Sequence, residues 1–302
     1  MSFAITGFVE STKMSLDEPI SSEEFQRIQA ARDDLLAALS AEEKFAIVAD
    51  NLNDLERELL EATQNYILSS TLDYIPAMDV RLAIDRRLTN LLSACRLYFD
   101  QIGHLLSEAF GTASDEAKQV NEKRKELYDQ SFAFRLMEAL RNFVQHRALP
   151  IENIVFNRRR VDKGGASLWE TSLVPRISAA TFESHGGFKA AILQELKERG
   201  GSMDIRQLLR EYVFHIFEVH KVVRAVVQKP ADAAVKLLQS YLDRHAGTQF
   251  LEAMEKGEHG QALRRVQLFR DFVDHYEYLK NRFQTLILLP QSYASSSPEV
   301  KK

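Results

Sequence analysis

The sequence predicts a mainly α fold: a helical bundle over residues 21–150, a β-hairpin over 151–180 and a further helical region over 181–288. Three observations predict it. Glycine and proline number only 12 and 7 in 302 residues, and they gather in a few places, which leaves long stretches free to form helices. Within those stretches, apolar residues recur at three- and four-residue spacings. The one departure, residues 153–178, sets β-branched and aromatic residues on both sides of Asp162-Lys163-Gly164-Gly165, the pattern of a hairpin.

The elements follow in order. Residues 1–20, at the chain terminus, are expected to be mobile. Ser21 and Ser22 before Glu23 and Glu24 form an N-cap and an acidic first turn, opening a helix to about Ser40. A second helix starts at the cap Ser40. A third runs from about Met78 to Phe110, and a fourth from about Asp115 to about Arg147 with a break near Asp129. Leu149 precedes Pro150, and the residue before a proline is driven out of helical geometry, so the stop is well defined. After the hairpin, residues 187–201 read as a helix ending at a glycine pair. Further helices are expected over 204–228, 230–245 and 260–284, and residues 289–302 are expected to be a mobile tail.

Composition limits the function classes. Hydrophobic residues make up 45% and charged residues 27%, ordinary for a globular protein. With a net charge of −4 the chain is no polycation, so any nucleic-acid contact must come from a local basic patch. Cys95 is the only cysteine, which excludes an intramolecular disulfide and a cysteine-based zinc site. No apolar run approaches the roughly 18 residues of a membrane span. The opening residues lack the basic start and long apolar stretch of a signal peptide. The expectation is a soluble cytoplasmic protein.

An arginine followed five positions later by a histidine occurs three times: Arg141 with His146, Arg210 with His215, and Arg270 with His275. Position on the helix separates them. Around residue 140 the apolar stripe is Ala133, Leu136, Met137, Leu140, Phe143 and Val144. Asn142 and His146 then sit together on the opposite side, with Arg141 and Gln145 on its flank. His215 lies among Tyr212, Val213, Phe214, Ile216 and Phe217, where apolar residues surround the helix. His275 lies beside the stripe of Phe269, Phe272, Tyr276 and Leu279, and reads as structural. Arg270, Asp271 and His275 remain the principal rival site. A histidine exchanges a proton near neutral pH, and an arginine matches a phosphate through parallel charged hydrogen bonds. The first pair therefore suits RNA cleavage, with Asn142 orienting the imidazole or binding substrate. The competing reading of the same residues is an ordinary solvated helix face.

The run Arg141-Asn142-Phe143-Val144-Gln145-His146 resembles the signature of the HEPN superfamily, in which an arginine, a polar residue and a few further residues lead to a histidine. The wider stretch from Phe134 to Ile151 is similar to HEPN-type proteins that carry this run before a proline-terminated helix, and the helix around residues 84–106 fits its partner in that bundle. The resemblance covers about residues 40–150, leaving the hairpin and the C-terminal helices outside it. It implies an HEPN-like bundle and a homodimer whose two motifs meet across a cleft. It also implies metal-independent cleavage of RNA through the ribose 2′-hydroxyl, in a toxin or anti-phage role and with no cofactor. By that analogy His146 assists the attack, Arg141 stabilises charge on the phosphate and Asn142 is the polar residue of the motif. Asp85 and Asn90 are candidate supporting residues from the earlier helix. A neutralising protein partner is a further expectation. The alternative is a non-catalytic helical module, antitoxin-like or regulatory, that binds a partner through the same face.

Other features carry less. Arg158, Arg159, Arg160 and Lys163 form a basic run suited to an RNA backbone. Trp169, the only tryptophan, suits stacking on a base but reads first as hairpin core. Residues 215–220 lack the spacing of a helical zinc site, and the stretches around Gly164-Gly165 and Gly200-Gly201 lack the lysine and spacing of a phosphate-binding loop.

Overall fold

Eight α-helices and two antiparallel sheets account for most of the described residues, so the fold is mainly α. The computed structural model describes residues 1–9, 14–68, 73–163 and 166–294. The helices are α1 (Ser22–Leu68), α2 (Tyr74–Phe110), α3 (Asp115–Gln130), α4 (Phe132–His146), α5 (Ala179–His185), α6 (Ala190–Glu198), α7 (Ile205–Arg244) and α8 (Arg270–Arg282). The strands are β1 (Ser2–Val9), β2 (Met14–Ile20), β3 (Asn153–Lys163), β4 (Ala166–Ser178), β5 (Ser202–Asp204), β6 (Thr248–Lys256) and β7 (Ala262–Gln267). No helix among the described residues is long and apolar enough to cross a membrane.

The chain divides into two compact units. The first comprises residues 1–44, 102–120 and 220–284. Its sheet has the order β2-β1-β6-β7, antiparallel throughout. The segment expected to be mobile is therefore paired: β1 lies between β2 and β6 and buries Ala4 and Ile5. The 10–13 connection lies outside the described residues. Gly7 sits at the bulge between Thr6 and Phe8. A Cβ there would come within 2.4 Å of Thr248 Cγ2, so only glycine fits without displacement. Ser21 caps α1 by accepting the Glu24 N–H at 3.0 Å, and the Phe25 ring packs against Phe3 at 5.2 Å. Residues 260–284, expected to be one helix, instead form β7 and then α8. The alternation of Leu251, Ala253 and Glu255 buries one face of β6, and β7 pairs with it, with Arg264 bridging Glu255.

A buried polar cluster joins α1 to α7 in this unit. Glu42 accepts Arg224 Nε and Nη2 at 2.6 Å each and His220 Nε2 at 3.2 Å. Burial pushes the Glu42 carboxyl up, but the His220 and Arg224 hydrogen bonds outweigh it and hold the group at about 2. Burial lowers the His220 imidazole despite that carboxylate. Pro230 is expected from sequence to start a new helix, yet α7 runs through it. Val227, Ala231, Ala234 and Leu238 are buried on either side, so packing carries the helix across one missing N–H.

The second unit comprises residues 45–101, 121–219 and 285–302. No break occurs at Ser40. Ala38, Leu39, Ala41 and Phe45 are all buried, and α1 continues through them. Helix α2 starts at Tyr74 rather than Met78, because Pro76 is tolerated in a first turn. The core of this unit is aromatic: Phe134 meets Tyr212 at 5.1 Å and Phe99 at 6.0 Å, and Phe45 meets Phe217 at 5.7 Å. The Tyr212 hydroxyl donates to Glu138 at 2.6 Å. Arg135 makes two contacts to Glu195, at 2.8 and 3.1 Å. The expected hairpin is present as β3–β4 in register from Asn153 opposite Arg176 to Lys163 opposite Ala166, and β5 adds a third strand. Its turn residues Gly164 and Gly165 lie outside the described residues. Trp169 is not core: it is 66% exposed. Of the expected tail, residues 289–291 close a 3-10 helix over Gln284–Gln291, and 295–302 lie outside the described residues.

Candidate active site

Helix α4 carries Arg141, Asn142 and His146 because both of its ends are fixed. Ser131 caps it, its hydroxyl accepting the Phe134 N–H at 3.2 Å and donating to Glu211 at 2.7 Å. Phe132, Ala133, Phe134, Leu136, Met137, Ala139, Leu140 and Phe143 are buried, a stripe that anchors one side of the helix. Near the C-terminus, the Phe143 ring packs against Phe182 at 5.0 Å and Phe188 at 5.9 Å. The Arg147 N–H donates to Phe143 O, and its guanidinium lies over Gly187, where a Cβ would come within 2.6 Å of Nε. With that stripe buried, the other side projects outward. Asn142, Gln145 and His146 are exposed and Arg141 is half-buried.

Arg141 Nη1 donates to Asn142 Oδ1 at 3.0 Å, while its buried Nε has no hydrogen-bond partner. No carboxylate among the described residues lies within ion-pair distance of Arg141. The rival arginines differ. Arg210 holds Glu56 through two contacts of 2.7 Å, and Arg270 pairs with Asp243 at 2.9 Å. Their histidines also face acids: His215 lies 3.5 Å from Glu211, and His275 lies 3.5 Å from Glu43. A guanidinium not already held by a carboxylate is open to paired hydrogen bonds with a phosphate, and among the described residues Arg141 alone of the three is so placed.

The supporting residues separate. Asn90 is exposed on α2. Asp85 is fully buried, and its Oδ1 accepts the Ile151 N–H at 3.1 Å. Burial pushes its carboxyl up to about 6, against the pull of that N–H and of Arg81. Arg81 Nη1 donates to Ile151 O at 3.2 Å. Together these two side chains clasp both backbone groups of Ile151, five residues beyond His146, and fix the chain as it leaves α4. Arg81 was missed by the sequence reading. Its signal was the four-residue spacing from Asp85 on one helix face. His185, whose ring stands 6.1 Å from Phe143, had no such signal because it belongs to another helix.

The basic run is divided by its strand. Arg159 bridges Glu170 on one face of the hairpin. Arg158 lies over the Tyr66 ring at 5.1 Å, and Arg160 donates to Ser167 at 2.5 Å. Lys163 belongs to β3, and its side chain lies outside the described residues. Among the described residues no three His, Cys, Asp or Glu side chains gather as a metal site requires. No family model matches the chain, and no curated protein or solved structure matches it.

Proposed function

We propose that this chain is a metal-independent endoribonuclease of HEPN type that acts as a homodimer in the cytoplasm. A toxin or anti-phage effector held in check by a protein partner is the role that fits. The observation carrying this reading is the contrast between Arg141 and the other two arginines: Arg141 is half-buried on the helix that carries the exposed His146, and no carboxylate among the described residues pairs with it. In the reaction, His146 of one copy accepts the proton of a ribose 2′-hydroxyl. The 2′-oxygen then attacks the adjacent phosphorus, and the bond to the 5′-oxygen breaks. The leaving 5′-oxygen takes a proton from the second copy's imidazole, giving a 2′,3′-cyclic phosphate and a 5′-hydroxyl. Arg141 binds the non-bridging oxygens and stabilises their growing charge. Asn142 holds Arg141 through its side-chain oxygen and positions it.

The test incubates purified protein with total RNA and tRNA in excess chelator, beside Arg141→Ala and His146→Ala. Cleavage by the wild type alone, with cyclic-phosphate ends and unchanged circular dichroism in both variants, is expected. Equal cleavage by the variants, or a wild type that binds RNA and leaves it intact, overturns the proposal. The second of those results favours a non-catalytic binding module.

A further inference from the structure

The second unit holds a groove that the cleavage reading does not use. It has a volume of about 560 Å³ and is lined mainly by α1, β4 and the first turns of α7, with Val161 of β3, Asp204 of β5 and the exposed Tyr293 at its edges. That size falls in the range of small-ligand sites. Its walls include Leu60, Thr63, Gln64 and Ile67 from α1 and Trp169 and Leu173 from β4. Leu173 is buried, but Trp169 is 66% exposed, Ile67 50% and Leu60 48%. An open wall of this kind, interrupted by the Thr63 hydroxyl and the Gln64 amide, suits a flat ring with polar edges.

The charge around the groove points to the rest of the ligand. Its acids are each matched: Glu56 by Arg210, Asp204 by Arg206 and Glu170 by Arg159. Beyond the lining itself, Arg158, over the Tyr66 ring, and Arg160, donating to Ser167, have no carboxylate within 4 Å among the described residues. Strand register puts Arg160 directly opposite Trp169, and Arg158 directly opposite Thr171. Cross-strand partners project from the same face, so both guanidiniums leave the hairpin on the side that carries Trp169. An aromatic platform beside two uncompensated cations is the arrangement that holds a nucleobase and its phosphate.

We propose that this groove binds one unstacked nucleotide, with its base against Trp169 and its phosphate on Arg158 and Arg160. The source is a single-stranded stretch of RNA rather than a free mononucleotide. That choice rests on the ribonuclease reading, whereas the base and phosphate contacts rest on the groove alone.

Because Trp169 is the only tryptophan, its emission reports occupancy directly. The full chain carrying His146→Ala is titrated with short oligoadenylate and, separately, with adenosine monophosphate, and anisotropy of labelled oligoadenylate measures binding. Saturable quenching by the oligonucleotide is expected, with weak or no response to the mononucleotide. Trp169→Ala should weaken oligoadenylate binding about ten- to a hundredfold. Arg158→Ala and Arg160→Ala should each reduce the salt slope of binding by about one. Unchanged emission at saturating oligonucleotide overturns the proposal, as does wild-type affinity in Trp169→Ala with its fold intact by circular dichroism. Quenching by the mononucleotide alone overturns the RNA source. Quenching in a protein whose wild type cuts no RNA leaves the groove standing and removes the ribonuclease reading. Cleavage with unchanged emission does the reverse.

Discussion

Replacing Asp85 by asparagine should make the protein's stability less sensitive to pH. Asp85 is fully buried, Oδ1 is held by the Ile151 N–H, and buried Oδ2 has no partner. Burial raises the carboxyl from an ordinary 3.8 to about 6. A group raised on folding contributes its full stabilisation below its unfolded value, and that contribution is lost as pH rises through the folded value. The window is therefore about pH 4 to 6. A shift of about two units corresponds to ~3 kcal/mol between its ends. The asparagine side chain would keep the oxygen that accepts from Ile151 and abolish the titration. Urea unfolding of Asp85→Asn and wild type, followed by far-ultraviolet circular dichroism at pH 4.5 and pH 7.5, tests this. The difference between variant and wild type should move in the variant's favour by ~2–3 kcal/mol across that interval, because the other carboxylates cancel in the comparison. Parallel pH profiles for the two proteins would refute the reasoning, and so would a variant that loses ground as pH rises.

Two further outcomes concern the packing that presents the candidate site and the polar cluster of the first unit. Phe143→Ala removes the ring set against Phe182 and Phe188 under the Arg141–His146 face. It should cost ~3–5 kcal/mol, read as a lower urea midpoint, with RNA cleavage falling alongside the folded fraction. Glu42→Gln keeps one acceptor oxygen but removes the negative charge and sets an amide N–H against Arg224 or His220, and should cost ~3–5 kcal/mol at neutral pH. Glu42 is depressed on folding, so its contribution is present above its ordinary 4.5 and lost as pH falls toward about 2. The variant should lack that acid-side decline, and a glutamine variant as stable as the wild type at pH 7 would refute the coupling.

While it broke α1 at Ser40 and α7 at Pro230 and read β7 as helix, the sequence by itself determined the mainly α class, the hairpin and the side of α4 on which Arg141, Asn142 and His146 lie. These follow from local periodicity: a 3.6-residue repeat or a two-residue alternation needs no knowledge of what lies opposite. The break near Asp129 and the Leu149–Pro150 stop were equally local: α3 ends at Gln130 and α4 at His146. Tertiary structure alone decided the rest. Residues 2–9 become a strand because β2 and β6 supply their hydrogen bonds, and α7 passes Pro230 because buried neighbours hold it. The arginine run read as one patch, yet pleating turns Arg159 toward Glu170 and leaves Arg158 and Arg160 on the side of Trp169. Whether an arginine meets a carboxylate depends on residues far away in the chain: Glu56 lies 154 positions from Arg210. No spacing rule reaches that distance. The three arginine–histidine pairs look alike in sequence, and the fold distinguishes them by pairing two of the arginines with acids while, among the described residues, none pairs with Arg141.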